Sequence, residues 1–181
     1  MNSSQSFVVR GARVVDGTGN PAITADVSVH GDRIVEVGAA GTLDAAGVID
    51  AEGLLLTPGF VDVHTHYDAQ VTWDPWVTPS SWHGVTTAIM GNCGVGFAPA
   101  EPAKHDWLIQ LMEGVEDIPG SALAEGISWG WESFEEYLDI VASTPRVIDV
   151  GAQIAHGPLR AYVMGDRASS HDPAPDSDIA A

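Results

Sequence analysis

Basic residues are scarce in this 181-residue sequence: 7 Lys+Arg stand against 25 Asp+Glu, a formal net charge of -18. A surface of that sign repels polyanions, which argues against nucleic acid or an anionic membrane face as a partner. Cysteine is almost absent. Cys93 alone cannot build an internal disulfide framework, and it leaves three readings: a buried small hydrophobe, a reactive thiol or a metal ligand. No run of about 18 apolar residues occurs, and Met1 to Arg10 lacks a basic segment followed by an apolar one. Neither membrane insertion nor secretion is signalled, and a cytoplasmic location is the default expectation. What is present is core-forming, since 45% of residues are hydrophobic and 18% charged, a balance that fits a globular chain rather than a disordered one.

The stretch Thr57-Pro58-Gly59-Phe60-Val61-Asp62-Val63-His64-Thr65-His66-Tyr67-Asp68 organises the rest. Pro58-Gly59 punctuates the start of a short buried strand, and two histidines stand where that strand ends. Side chains alternate along a strand, so His64 and His66 project to one side and two imidazoles can reach one metal ion, with Thr65 facing away. The pair is weak evidence alone. Its place at a C-terminal strand end, where parallel α/β folds bind ligands, strengthens it.

Residues 1–57 read as an N-terminal β-module. Phe7 to Arg10, Ala12 to Val15, Val27 to His30, Arg33 to Val37 and Val48 to Ala51 are short β-rich runs separated by Gly/Asp turns, which predicts a small antiparallel sheet or β-sandwich. His30, beside a Gly-Asp turn, reads as solvated. From Pro58 the period changes. Thr78 to Gly84 predicts a short helix closed by Gly84, and Val85 to Gly91 a strand buried on both faces. That strand ends in Gly91-Asn92-Cys93-Gly94, and a βαβ unit brings this end beside His64 and His66. The shared edge and the flanking glycines favour Cys93 as a zinc ligand over a filler.

Trp107, Leu108, Leu111, Met112 and Val115 recur at helical spacing and read as core, with His105 solvated in the polar first turn. Trp129 and Trp131 line either a substrate pocket or a core edge. Ser133-Phe134-Glu135-Glu136 is a capping box opening a helix with Phe134, Tyr137, Leu138 and Val141 on its apolar face, ended by Pro145. Val147 to Ile154 is the next buried strand, and His156 follows at the same edge, in a pocket, as an outer partner of the metal ligands, or in a structural hydrogen bond. Asp166 to Asp178 reads as a surface loop before a first helical turn at Asp176 to Ala181. Residues 58–181 therefore predict the first part of a (β/α)8 barrel: about three β/α units in about half the roughly 250 residues such a barrel takes. An open strand edge and inner face lead to a further expectation, that the chain self-associates or is molten.

In combination these residues resemble the amidohydrolase superfamily, and within it the N-acyl-D-amino-acid deacylase (D-aminoacylase) group. The likeness is carried by Gly17-Thr18-Gly19, by Pro58 to His66, by Gly84-Val85-Thr86-Thr87 with Gly91-Asn92-Cys93-Gly94, by Ser133 to Leu138, and by His156-Gly157-Pro158-Leu159-Arg160. It implies an incomplete metal-dependent-hydrolase barrel, zinc held by His64, His66 and Cys93, and metal-assisted hydrolysis of a linear amide in a small N-acyl amino acid. The family's two further zinc-binding histidines and its catalytic aspartate match nothing here, so the resemblance assigns no catalytic residue to this chain. It implies an N-terminal part inactive or weakly active alone. Cyclic-amidase chemistry stays an alternative, as does a non-enzymatic remnant or a half that needs a complementing C-terminal chain.

Overall fold

A computed structural model describes residues 6–170 and 172–180. Met1 to Gln5, His171 and Ala181, on which parts of the leader, tail-loop and last-helix readings fall, lie outside the described residues. The chain divides into two compact units, Met1–Pro58 and Gly59–Ala181.

In the first unit β1 (Ser6–Val14), β2 (Ile23–His30) and β3 (Arg33–Ala39) run antiparallel in the order β3-β2-β1. β4 (Gly47–Asp50) and β5 (Leu55–Leu56) then pair with β1 in parallel. The expected antiparallel sheet or sandwich is thus a single mixed sheet. The last two strands cross back to β1 and join the existing ladder instead of starting a second layer. The two expected strands around Gly11 are also one. Gly11, at φ +68°, sits where the β1/β2 register shifts, so it makes a bulge rather than a turn. The Gly11 amide freed there donates to the buried Asp26 carboxylate at 2.8 Å, which also accepts from the Thr42 and Leu43 amides. Val9, Ala12, Val27 and Ala51 form the small core of this unit.

The second unit carries a parallel sheet in the order β6 (Phe60–Thr65), β7 (Val85–Met90), β8 (Asp149–Ala152). Two 3-10 turns, Gln70–Thr72 and Ser80–His83, connect β6 to β7, the second closed by Gly84 in the left-handed region as its sequence requires. Between β7 and β8 come α1 (His105–Glu116), α2 (Gly120–Gly126) and α3 (Phe134–Ser143). The seven-residue α2 starts at Gly120, where the carbonyl of the preceding Pro119 accepts from the Ala122 and Leu123 amides. α3 begins at Ser133, whose hydroxyl accepts from the Glu136 amide while the Glu136 carboxylate accepts from the Ser133 amide, both halves of a capping box. α4 (His156–Met164) and the short α5 (Asp176–Ile179) end the fold.

The main core gathers Met90, Phe97, Leu108, Met112, Leu123, Trp131, Tyr137 and Val141 between the sheet and α1 to α3. Trp131 donates its indole N–H to the Phe97 carbonyl at 2.7 Å, which places both loop tryptophans at a core edge, Trp131 buried and Trp129 packed beside it. Three expectations need correcting. The strand before His64 is not buried: Phe60, Val61 and Val63 are 61, 58 and 66% exposed on an outer strand of the three-stranded sheet, which pairs with β7 on one side. β7 is covered on one face, through Ala88 and Met90, and only partly on the other. The stretch Val147 to Ile154 contributes four strand residues rather than eight, since pairing with β7 spans only Asp149 to Ala152. No helix among the described residues is long and apolar enough to cross a membrane.

Candidate metal centre

Parallel pairing sets the site. Thr65 lies opposite Met90, and Met90 opposite Ala152, so the three strands end level and the residues that follow meet at one edge. Thr65, pointing away from the histidines, is buried and donates its hydroxyl to the Ile89 carbonyl at 2.9 Å. The Asn92 amide donates to the Val63 carbonyl and, at 3.4 Å, to that of Ile89. These bonds stitch β6 to β7 at the level of His64, where apolar burial does little.

The turn after β7 can bend only because of Gly91. Its φ is +85°, and a Cβ there would lie 2.1 Å from the Gln153 carbonyl oxygen. The bend delivers Cys93, whose Sγ sits 3.2 Å from His66 Nε2 and 3.6 Å from Nδ1. The His64 and His66 rings are 5.5 Å apart at 31°. His64, His66 and Cys93 each offer a ligand atom within 4.8 Å of the others. In a tetrahedral zinc site, with bonds of about 2.0–2.3 Å, donors stand about 3.3–3.6 Å apart. Two imidazoles and a thiol in this arrangement fit such an ion after small side-chain rotations, and the exposure of His64 and Cys93 leaves the approach open.

Sequence reasoning did not single out two acidic residues, Asp68, two positions after His66, and Glu116. Asp68 closes the motif stretch and is 4% exposed. Burial pushes its carboxyl up to about 7, against the backbone amides of Asp68 and Gly91 that favour the charge. Behind it Tyr137 donates its hydroxyl to the Asp68 backbone carbonyl at 2.8 Å, so α3 anchors the segment that follows the histidines. Burial also holds the Tyr137 phenol well above its ordinary value. Glu116, the last residue of α1, brings Oε1 to 3.4 Å from His66 Nδ1. No spacing in the sequence pairs Glu116 with His66, fifty residues away along the chain, and only the packing of α1 brings them together.

Among the described residues the compact donor group does not include His30, His105 or His156. His156 opens α4, exposed, and lines a cavity of about 340 Å³ with Leu159, Arg160, Val163 and Met164. Its neighbour Gly157 donates its amide to the Gly94 carbonyl at 2.7 Å, which ties the start of α4 to the Cys93 turn. His105 is not solvated as expected. Its ring stacks on Trp129 at 3.6 Å and 6°, because the first turn of α1 lies against the aromatic loop, and burial lowers its basicity. His30 is exposed, within 2.7 Å of the Ser6 hydroxyl.

Comparison with known proteins fits this arrangement. D-aminoacylase of Alcaligenes xylosoxydans xylosoxydans is 35% identical over 167 residues, 91% of this chain and 32% of that protein. A solved D-aminoacylase, described with a binuclear metal centre, superposes with a TM-score of 0.77 at 34% identity, covering 96% of this chain and 34% of that one. N-acyl-D-glutamate deacylase from Bordetella bronchiseptica, solved with zinc and a phosphonate mimic of the tetrahedral intermediate, gives a TM-score of 0.68 at 28% identity over 97% of this chain and 34% of that one. The chain spans about a third of the length of the curated relatives it matches. The model of the amidohydrolase family matches residues 47–181, three quarters of the sequence and all of the parallel sheet with its donor edge, and the chain belongs to that family.

Proposed function

We propose that this chain is the zinc-binding N-terminal part of an N-acyl-D-amino-acid deacylase, with residues 58–181 forming the first three β/α units of a (β/α)8 barrel. The observation that carries the reading is the convergence of His64, His66 and Cys93 within 4.8 Å at the C-terminal edge of a parallel sheet. The likeness to D-aminoacylase along nearly the whole chain supports the substrate class. When bound, zinc would acidify a water molecule and polarise the acyl carbonyl.

The residues of the chain have the task of holding that chemistry in place. His64 and His66 would supply nitrogen donors from the end of one strand, and Cys93 a sulfur donor from the turn after the next. Thr65 and Asn92 fix the distance between the two strands by bonding the Ile89 and Val63 carbonyls. A cavity beside His156 is open to a small molecule at the same end of the sheet. Complementation tests the proposal: the chain would be mixed with the C-terminal two thirds of a D-aminoacylase and assayed on N-acyl-D-amino acids and on cyclic imides. Zinc-dependent release of D-amino acid supports the reading. Turnover of the imides alone would replace it with cyclic-amidase chemistry, and a chain that takes up no zinc would remove the metal reading.

A further inference from the structure

His66 has two ring nitrogens, and the structure distinguishes their surroundings. Nε2 is the one nearer the Cys93 sulfur, at 3.2 Å against 3.6 Å for Nδ1. Nδ1 is the one that faces the Glu116 carboxylate, at 3.4 Å. A carboxylate can only accept, and a neutral imidazole carries its single proton on one nitrogen, so the nitrogen beside Glu116 is the one favoured to carry it. The lone pair is then left on Nε2, beside the sulfur.

The position of Glu116 is not the default of a solvated acid. It ends α1, with Asp117 already left-handed after it and no basic residue in the last turn. A carboxylate there meets the negative end of the helix dipole, so an N–H donor opposite offsets an unfavourable placement. The side chains of His66 and Glu116 are only 18 and 32% exposed, which shields the pair from water. Among the described residues the compact donor group is His64, His66 and Cys93, without Glu116. The contact that Glu116 makes with this group is the one to His66.

We propose that Glu116 is a positioning residue: it accepts the Nδ1–H of His66, fixes the ring and its tautomer, and presents Nε2 to the metal. This rests on the zinc reading above for its purpose but not for its first test. Outer carboxylate partners of this kind hold ligand imidazoles in metal sites and are worth about 10–100-fold in affinity. The partial exposure of Glu116 puts the effect expected here at the lower end, about 10-fold.

The test uses the full chain with 15N-labelled histidine, metal-free and at alkaline pH, by magic-angle-spinning NMR so that self-association does not interfere. The His66 signal is assigned by its loss in His66→Asn. In wild type His66 carries its proton on Nδ1. In Glu116→Leu it shifts to the Nε2–H form that free imidazole prefers, and Glu116→Gln, which keeps an acceptor oxygen, restores the wild-type form. Zinc titration against a chromophoric chelator then shows about a 10-fold loss for Glu116→Leu and a smaller one for Glu116→Gln. An unchanged tautomer in Glu116→Leu overturns the proposal whatever zinc does, and a changed tautomer with unchanged zinc affinity overturns its role toward the metal. A wild type that binds no zinc at all defeats the function reading and the metal arm together. The tautomer arm still reports separately whether Glu116 holds the ring.

Discussion

Phe97, Leu108 and Met112 are each 1% exposed and Tyr137 is 2%, whereas Phe60, Val61 and Val63, on the strand leading into His64 and His66, are more than half exposed. Both groups belong to the second unit, yet they are held by different forces. The helix-packed body is held by burial, which is cooperative and non-directional. The donor edge is held by a few directed bonds, Thr65 to Ile89 and Asn92 to Val63, and by a glycine that lets the Cys93 turn close. Stability and site geometry are therefore separable in this unit: a change can unfold the body without reaching the donors, or alter the donors and leave the body folded.

The sharpest contrast comes from truncating one side chain in each region. Leu108→Ala, in the body, is expected to cost about 2–5 kcal/mol, while Val63→Ala, on the open edge, stays within about 0.5 kcal/mol. Urea unfolding followed by tryptophan fluorescence reads both, and similar losses for the two would break the comparison. The open edge should show itself next in association. Three large apolar side chains left in water each forgo about 1.5–3 kcal/mol of burial, and a strand edge with unpaired amides is a template for pairing. Wild type is expected to sediment as oligomers, and Phe60→Ser/Val61→Thr/Val63→Lys to shift toward monomer. A monodisperse wild-type monomer would mean that the edge is covered in solution.

Cys93→Ser should leave the unfolding free energy of the body unchanged. It should weaken zinc binding by at least about 10-fold, the loss that follows even from removing an outer partner of a ligand. Equal zinc content in wild type and variant would take Cys93 out of the site. The smallest effect is a pH dependence on the body side. Burial lowers the His105 pKa, with the neighbouring Asp106 charge acting against the shift. The unfolded state thus binds the proton more readily. The resulting stability is complete above the unfolded value of about 6.5 and is lost as pH falls from there toward the lowered folded value. The raised carboxyl of Asp68 has the opposite sign over part of this range, so the informative quantity is the difference between wild type and His105→Gln. That difference should shrink between pH 7.5 and pH 5, and a constant offset would show that His105 does not titrate differently on folding.

Directed features were legible where chemistry is local in the chain. The capping box at Ser133 and Glu136, the Gly84 helix stop and the His64/His66 alternation each depend on residues a few positions apart. The convergence of Cys93 with the histidines was also readable, because a parallel strand of defined length fixes where its end arrives. Burial was less legible. A run such as Phe60-Val61-Asp62-Val63 reads as buried on composition, but its exposure depends on what lies beside it in space. His105 shows the reverse error, since the stack on Trp129 joins residues far apart along the chain.

By itself the sequence determined that the second unit carries parallel strands whose ends bring His64, His66 and Cys93 together, because backbone period and residue type act over short distances. Tertiary structure alone decided that the N-terminal strands form one mixed sheet and that Asp68 is buried. It also decided that the carboxylate of Glu116 faces Nδ1 of that ring. Each of these outcomes depends on which surfaces pack against which, and the side chains that determine it are distant in the chain.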